Sequence, residues 1–251
     1  MSKKTYLIII LILVIVALIS LVLFIKSFDG EKPFEAPFGI EGEDKEIDTS
    51  DDGIKSLVEI PVDFEKLWET NTDVYAWINI PDTNIDYPIL QGDDNTYYLN
   101  HTWDKKEYKA GSIFTETYNS KEFDDPNTII YGHRMYAGDM FAQLQNFSEA
   151  DFFDSHRTVY IYTPSKILVY EIVAAFPFSD EHLLYKYNFF DKDDYNRFCE
   201  DVFSTVDFRA SFLEGAQLDF EKDKLITLST CLKGNSNRRY LVVARLIEVK
   251  E

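Results

Sequence analysis

Tyr6 to Ile25 is an unbroken run of Leu, Ile, Val and small or aromatic residues without a charge. At ~1.5 Å per residue such a run covers the roughly 30 Å hydrocarbon layer of a bilayer, so it predicts one transmembrane helix. It is longer than the ~7–15-residue apolar stretch of a cleaved signal peptide, and no A-x-A-like site follows, which favours a retained anchor. Lys3 and Lys4 precede the run and acidic residues dominate beyond it. That asymmetry puts the N-terminus in the cytoplasm and the bulk of the chain outside the membrane. Residues 27–58 are rich in Asp, Glu, Gly and Pro, with apolar positions too scattered for any period, and are expected to form a flexible acidic stalk.

From residue 59 to the C-terminus the pattern is that of a folded domain. Asp63 is a candidate N-cap for a short helix carrying Phe64, Leu67 and Trp68 on one face. Eight β-branched and aromatic runs follow, bounded by Pro, Gly, Asp or Asn: Tyr75–Ile80, Ile85–Leu90, Ser112–Thr115, Thr128–Tyr131, Thr158–Thr163, Ile167–Phe176, Leu225–Ser229 and Tyr240–Val249. Eight short strands predict a mainly-β fold, a closed or nearly closed barrel. Helical insertions are expected at Asp139–Phe153 and Asp191–Phe203. In the second, Tyr195, Phe198, Cys199, Val202 and Phe203 make the apolar stripe of a helix docked on the barrel.

Charge narrows the partners. All 44 acidic residues lie beyond residue 26, and the net charge of the chain is −19. Such a surface repels phosphate backbones, so no nucleic-acid partner is expected. The simplest role for the acidity is solubility, and it suits an amine-bearing partner.

Two cysteines in an oxidising space would ordinarily form a disulfide. Here Cys199 falls on the buried stripe of its helix, whereas Cys231 follows a strand and precedes the polar text Lys233–Arg238. The second setting suits a reactive thiol; a membrane-anchored module with a disulfide is the competing reading. A nucleophilic cysteine needs a nearby cation or base to supply its thiolate. His133, after Tyr131-Gly132, reads alone as an ordinary strand-end residue, and becomes a candidate acid/base only together with Cys231. Gly132 is expected to permit a sharp turn there. His101, His156 and His182 sit in polar, less regular text and read as surface histidines. Arg239 would face Cys231 if the flanking strands form a hairpin, but Arg238 points to the other face and the pattern alone does not choose between them. No H-x-x-x-H or C-x-x-C spacing predicts a metal site, and no Gly-rich loop predicts a nucleotide.

Thr227-Leu228-Ser229-Thr230-Cys231, followed by Arg239-Tyr240-Leu241-Val242-Val243-Ala244, resembles the TLxTC signature and distal arginine of sortases. Asn127–His133 is similar to the histidine segment of that family, and an anchor before an external domain is its usual layout. The resemblance covers about residue 60 to the C-terminus. It is nearest to class B, on the helix before the first strand, the text Asp94–Leu99 upstream of Gly111-Ser112-Ile113-Phe114, and the helix between the sixth and seventh predicted strands. One departure stands out: class B members often carry an acid just after the cysteine, where this chain has Leu232 and Lys233.

The resemblance implies a closed eight-stranded barrel with Cys231 as nucleophile, His133 as acid/base and Arg239 as oxyanion donor. Asn95, Leu99, Ser229 and Thr230 would bind a sorting signal borne by secreted proteins. The implied reaction is cleavage after Thr through a thioacyl-enzyme, then transfer to an amine of a peptidoglycan precursor or cross-bridge. Hydrolysis of the same signal is the alternative outcome. No cofactor is expected, and calcium, which some sortases bind through acidic loops, has no EF-hand-like spacing here. The implied organisation is a cytoplasmic stub and anchor over 1–26, a stalk over 27–58 and a catalytic domain over 59–251.

Overall fold

The computed structural model describes residues 13–16, 18–20 and 58–251. The chain divides into two units, Met1–Phe34 and Glu35–Glu251. In the first, residues 13–16 and 18–20 are helical. The rest of the expected anchor, and the stalk up to residue 57, lie outside the described residues. Among the described residues, no helix is long and apolar enough to cross a membrane.

Among the described residues of the second unit the first element is helix α1 (Phe64–Trp68), capped as expected: Asp63 Oδ1 accepts the Lys66 N–H at 3.0 Å and satisfies one of the donors a helix start leaves open. Phe64 and Leu67 are buried, while the half-exposed Trp68 is tied by its indole N–H to the Val74 carbonyl at 2.6 Å.

The strands are β1 (Val74–Asn79), β2 (Asp86–Leu90), β3 (Ile113–Thr115), β4 (Asn127–Tyr131), β5 (Thr158–Tyr162), β6 (Ile167–Phe178), β7 (Ser211–Phe212), β8 (Leu225–Leu232) and β9 (Asn235–Lys250). Eight of them form a ring in the order β5-β1-β2-β3-β4-β8-β9-β6, closed by β5 pairing with β6. Closure removes the open edges that an eight-stranded sheet would otherwise expose. The ninth strand, β7, is a two-residue piece absent from the expected set. It pairs with Ala174–Ala175 of β6, beyond the reach of β5, which pairs only as far as Glu171.

Helix α4 (Lys192–Phe203) starts where Asp191 accepts the N–H groups of Asp193 and Asp194. Its stripe of Tyr195, Phe198, Cys199 and Val202 is buried against Val173 and Ala174 of β6 and Leu241 and Val243 of β9. The first insertion differs from expectation: Phe141–Ser148 is a 3-10 turn, followed by a separate α2 (Ala150–Ser155). Glu149 is the reason for the break, since its extended backbone, φ −94° and ψ 123°, cannot continue a helix.

Gly132 also does something other than turn the chain. A Cβ built there would lie 2.5 Å from Ile113 Cδ1 and 2.7 Å from the Phe141 ring, so the residue allows β4, β3 and the 3-10 turn to approach closely. Ile113 and Phe141 are both buried and have little room to give. Gly132→Ala should therefore lower the unfolding free energy by about 1–3 kcal/mol through overpacking, read as a reduced urea midpoint at constant slope.

Candidate active site

Strands β8 and β9 form a hairpin whose turn is Lys233-Gly234, with Gly234 at φ 82°, a left-handed backbone that glycine adopts without strain. The polar text after Cys231 is thus not a free loop. Leu232 pairs with Asn235 and Cys231 pairs with Arg239, leaving Ser236, Asn237 and Arg238 as extra residues on β9. This bulge fixes which arginine meets the thiol. Arg239 Nη1 lies 3.7 Å from Cys231 Sγ and donates to the Ser236 carbonyl at 3.0 Å. Arg238 points elsewhere, its Nε toward the Phe178 carbonyl at 3.4 Å and its Nη1 4.0 Å from Asp207. Arg209 and Arg245 also face carboxylates, whereas Arg239 forms no ion pair among the described residues. In so acidic a chain, a guanidinium left to a carbonyl and a thiol is a donor kept available.

His133 arrives from β4, which runs parallel to β8 with Tyr131 opposite Ser229. The Gly132 N–H donates to the Ser229 carbonyl at 3.2 Å, and the His133 carbonyl accepts the Phe141 N–H at 2.9 Å, so the backbone on both sides of the histidine is pinned. Its Nε2 is 2.7 Å from the Leu99 carbonyl. A carbonyl only accepts, so Nε2 carries the hydrogen and Nδ1 is the nitrogen left to exchange a proton.

Cys231, His133 and Arg239 share one cleft of about 400 Å³ with Asn95, Leu99, Ser229 and Thr230. All seven residues expected from the sequence therefore meet in one place. They are not equally available. Leu99 is 41% exposed, whereas Thr230 is 2% exposed and its hydroxyl is buried without a hydrogen-bond partner. Ser229 is on the Cys231 face of β8, Thr230 on the opposite one. Asn95 is held on both sides, its Oδ1 accepting the Thr117 N–H at 2.9 Å and its Nδ2 donating to Glu116.

Among the residues in and behind this cleft that were not singled out from the sequence are Tyr131, His182 and Glu116. His182, read as a surface histidine, in fact lines the cleft and pairs through Nε2 with the fully buried Glu116 carboxylate at 2.9 Å. Tyr131 donates its hydroxyl to the same carboxylate at 3.2 Å, and burial followed by that charge holds its phenol far above the ordinary range. A lone Glu after a short strand carries no pattern that announces burial. The remaining two histidines stack on Tyr97 and Phe152. Among the described residues, no group of three or more His, Cys, Asp or Glu side chains is placed to hold a metal ion.

Both cysteines are free thiols. That overturns the disulfide-linked module, and the separation has a physical basis: Cys199 is sealed under α4, Cys231 opens on the cleft.

A model of the sortase domain matches residues 78–247. The chain belongs to the sortase family. Among its relatives, a protein of Listeria monocytogenes named sortase B is 36% identical over 173 residues, 69% of this chain and 68% of its own. The solved structure of Clostridium perfringens sortase B is 32% identical with a TM-score of 0.67, covering 74% of this chain and all of that one. A Staphylococcus aureus sortase B–substrate complex is 26% identical with a TM-score of 0.64, over 74% of this chain and 84% of that one. These relatives place the chain with the class B sortases, which are cysteine transpeptidases. The barrel closed through β5 and β6 is the sortase fold.

The two thiols of this sortase should differ sharply toward an alkylating reagent. Burial pushes the Cys199 thiol up to about 12, so near neutral pH it is neither ionised nor reachable. Iodoacetamide at pH 8 should add one group to the folded protein, on Cys231, and a second only after denaturation, as read by intact mass and peptide mapping.

Proposed function

We propose that this sortase cuts a C-terminal sorting signal after its Thr and joins the acyl fragment to an amine of the cell wall. The observation that carries this reading is the contact of Arg239 Nη1 with Cys231 Sγ, 3.7 Å, in the cleft that also holds His133. His133 Nδ1 takes the Cys231 thiol proton as the sulfur attacks the Thr carbonyl, and the Arg239 guanidinium donates to the oxygen that becomes negative. The tetrahedral intermediate collapses by breaking the C–N bond. His133 hands that proton from Nδ1 to the departing amine, leaving a thioester on Cys231. An incoming amine then attacks the thioester, His133 takes its proton, and the thiolate is regenerated as the new amide forms. Asn95, Leu99 and Ser229 would seat the peptide along the cleft. Thr230, with its hydroxyl sealed beneath the strand, would contribute backbone.

The layout proposed for the whole chain follows from residues 6–25 as a retained anchor and 27–58 as a tether holding the domain of residues 59–251 outside the membrane. A tether suits an enzyme whose acyl donors are secreted proteins and whose acceptor is an extracytoplasmic amine.

The test is incubation of the protein with a panel of LPxTG-like and NPxTx-like peptides, with mass analysis of Cys231 for a thioester and of products with and without an added amine. A thioester on Cys231 and an amide product with amine are expected. Hydrolysis alone in the presence of saturating amine would overturn transfer. Cys231→Ala should abolish turnover with the fold intact.

The arginines give a sharper outcome. Arg239→Ala should lower kcat/KM by roughly 10²–10³, the span for losing one oxyanion donor, and Arg239→Lys should recover little because an ammonium lacks the planar fork. Arg238→Ala should change kcat/KM by no more than about fivefold, since its exposed pair with Asp207 is worth at most about 1 kcal/mol. Steady-state kinetics showing Arg238 as the sensitive position would sink the assignment.

A further inference from the structure

Glu116 sits just past the end of β3 with its side chain 0% exposed, and it does not itself line the cleft. A carboxylate so buried persists only if its oxygens are taken up by donors. Its donors are specific. Asn95 Nδ2 donates to Oε1, while Tyr131 Oη at 3.2 Å and His182 Nε2 at 2.9 Å share Oε2. The Glu116 backbone is fixed as well, its N–H on the Ile129 carbonyl at 3.1 Å and its carbonyl receiving Gln91 Nε2 at 2.9 Å.

Those three donors come from three different walls. Asn95 belongs to the segment before the 3-10 turn Tyr97–Leu99, Tyr131 ends β4 two residues before His133, and His182 follows β6 and precedes α3 (Leu183–Lys186). All three line the cleft. A carboxylate is acceptor-only with room for several donors, so one side chain can serve three walls at once. No neutral side chain of the same size can do this, because an amide offers one acceptor oxygen and turns its own N–H groups toward the remaining donors.

We propose that Glu116 is a positioning residue of this sortase: from behind the cleft it clamps Asn95, Tyr131 and His182, and so sets the spacing of the walls that grip the peptide. The inference rests on the peptide-transfer reading above and deepens it. Because Cys231 and Arg239 are held by their own hairpin, the backbone around His133 by Ser229 and Phe141, and the Leu99 turn by Asp94 and Ser112, the clamp acts on peptide binding and leaves the chemical step alone.

The test uses Glu116→Gln, which keeps volume and removes the charge, together with Asn95→Ala and the double variant. Glu116→Gln should raise KM for the peptide about tenfold, the span for disrupting one buried charged hydrogen-bond set, with kcat within about twofold. The KM for the amine should not move. Since Asn95 acts through the same clamp, adding Asn95→Ala to Glu116→Gln should cost far less than the product of the single effects. A folded Glu116→Gln protein with lowered Tm but unchanged peptide KM would overturn the proposal, as would singles that multiply fully. Failure of the unmodified protein to form a thioester with any peptide counts instead against the transpeptidation reading. The clamp then stands or falls on a substrate-free measurement, the hydrogen-bonded Nε2–H of His182 in the imidazole NMR spectrum. It should be present in the unmodified protein and lost in Glu116→Gln, and its absence from the unmodified protein overturns the clamp.

Discussion

The pairing of β4 with β8 is parallel, and a parallel pair cannot be joined by a tight turn. The chain must leave the end of β4, travel round the barrel and return to the start of β8, and everything between them, from the 3-10 turn at Phe141 to the two-residue β7, is carried on that detour. In exchange, the two strands finish at the same end of the barrel. Tyr131 faces Ser229, so the residues that follow, His133 on one strand and Cys231 on the other, emerge side by side. Just past this pair, the close approach of β3 and the 3-10 turn explains the glycine at 132, where a methyl group would meet buried Ile113 and Phe141. The meeting of the two residues proposed to be catalytic is therefore a consequence of strand register, and side-chain attraction has little to do with bringing them together.

The hairpin solves a different problem, which is to keep a cation unsatisfied. A chain with 44 carboxylates surrounds most of its arginines with partners, as Arg209, Arg238 and Arg245 show. The three extra residues on β9 swing Arg238 outward to Asp207 and return Arg239 opposite Cys231, where the nearest fixed acceptor is the carbonyl of Ser236 within the same bulge. Neutral acceptors hold the guanidinium in place without neutralising it. A carboxylate in that position would compete with any oxyanion formed at the thioester carbon.

How much of this was legible depends on the range of the signal. Strands β1 to β6, β8 and β9 announce themselves by local β-branched and aromatic runs, and Asp63 by capping chemistry, because each signal is contained in a few neighbouring residues. Strand β7 is two half-buried residues and has no period to read. The Asp139–Phe153 stretch reads as helical, yet Glu149 is extended, and the Phe147 and Phe153 rings on either side of it meet edge to face, a contact that no local propensity encodes. The choice of Arg239 over Arg238 hung on a bulge, which sequence alternation alone does not locate. Glu116 was illegible for the same reason at longer range: its three donors lie 21, 15 and 66 positions away along the chain, and only the closed barrel brings them together.

Leu99 shows how tightly this site is economised. Its side chain is an exposed apolar surface in the cleft, while its carbonyl accepts the Nε2–H of His133 and so selects the tautomer that leaves Nδ1 for proton transfer. One residue thus belongs to the surface a peptide would touch and to the support of the acid/base group. The link is directional: a peptide that shifted the 3-10 turn at Tyr97–Leu99 would move the hydrogen-bond acceptor of His133 with it. The turn itself is stapled, because Asp94 accepts the N–H groups of Thr96 and Tyr97 at 2.7 Å each and the Tyr98 carbonyl accepts the Ser112 N–H at 2.9 Å. Under the proposed reaction, a groove wall restrained in this way would bring a peptide to a histidine whose Nδ1 is already left free by the Leu99 carbonyl, and would remove the cost of sorting tautomers after the peptide has bound.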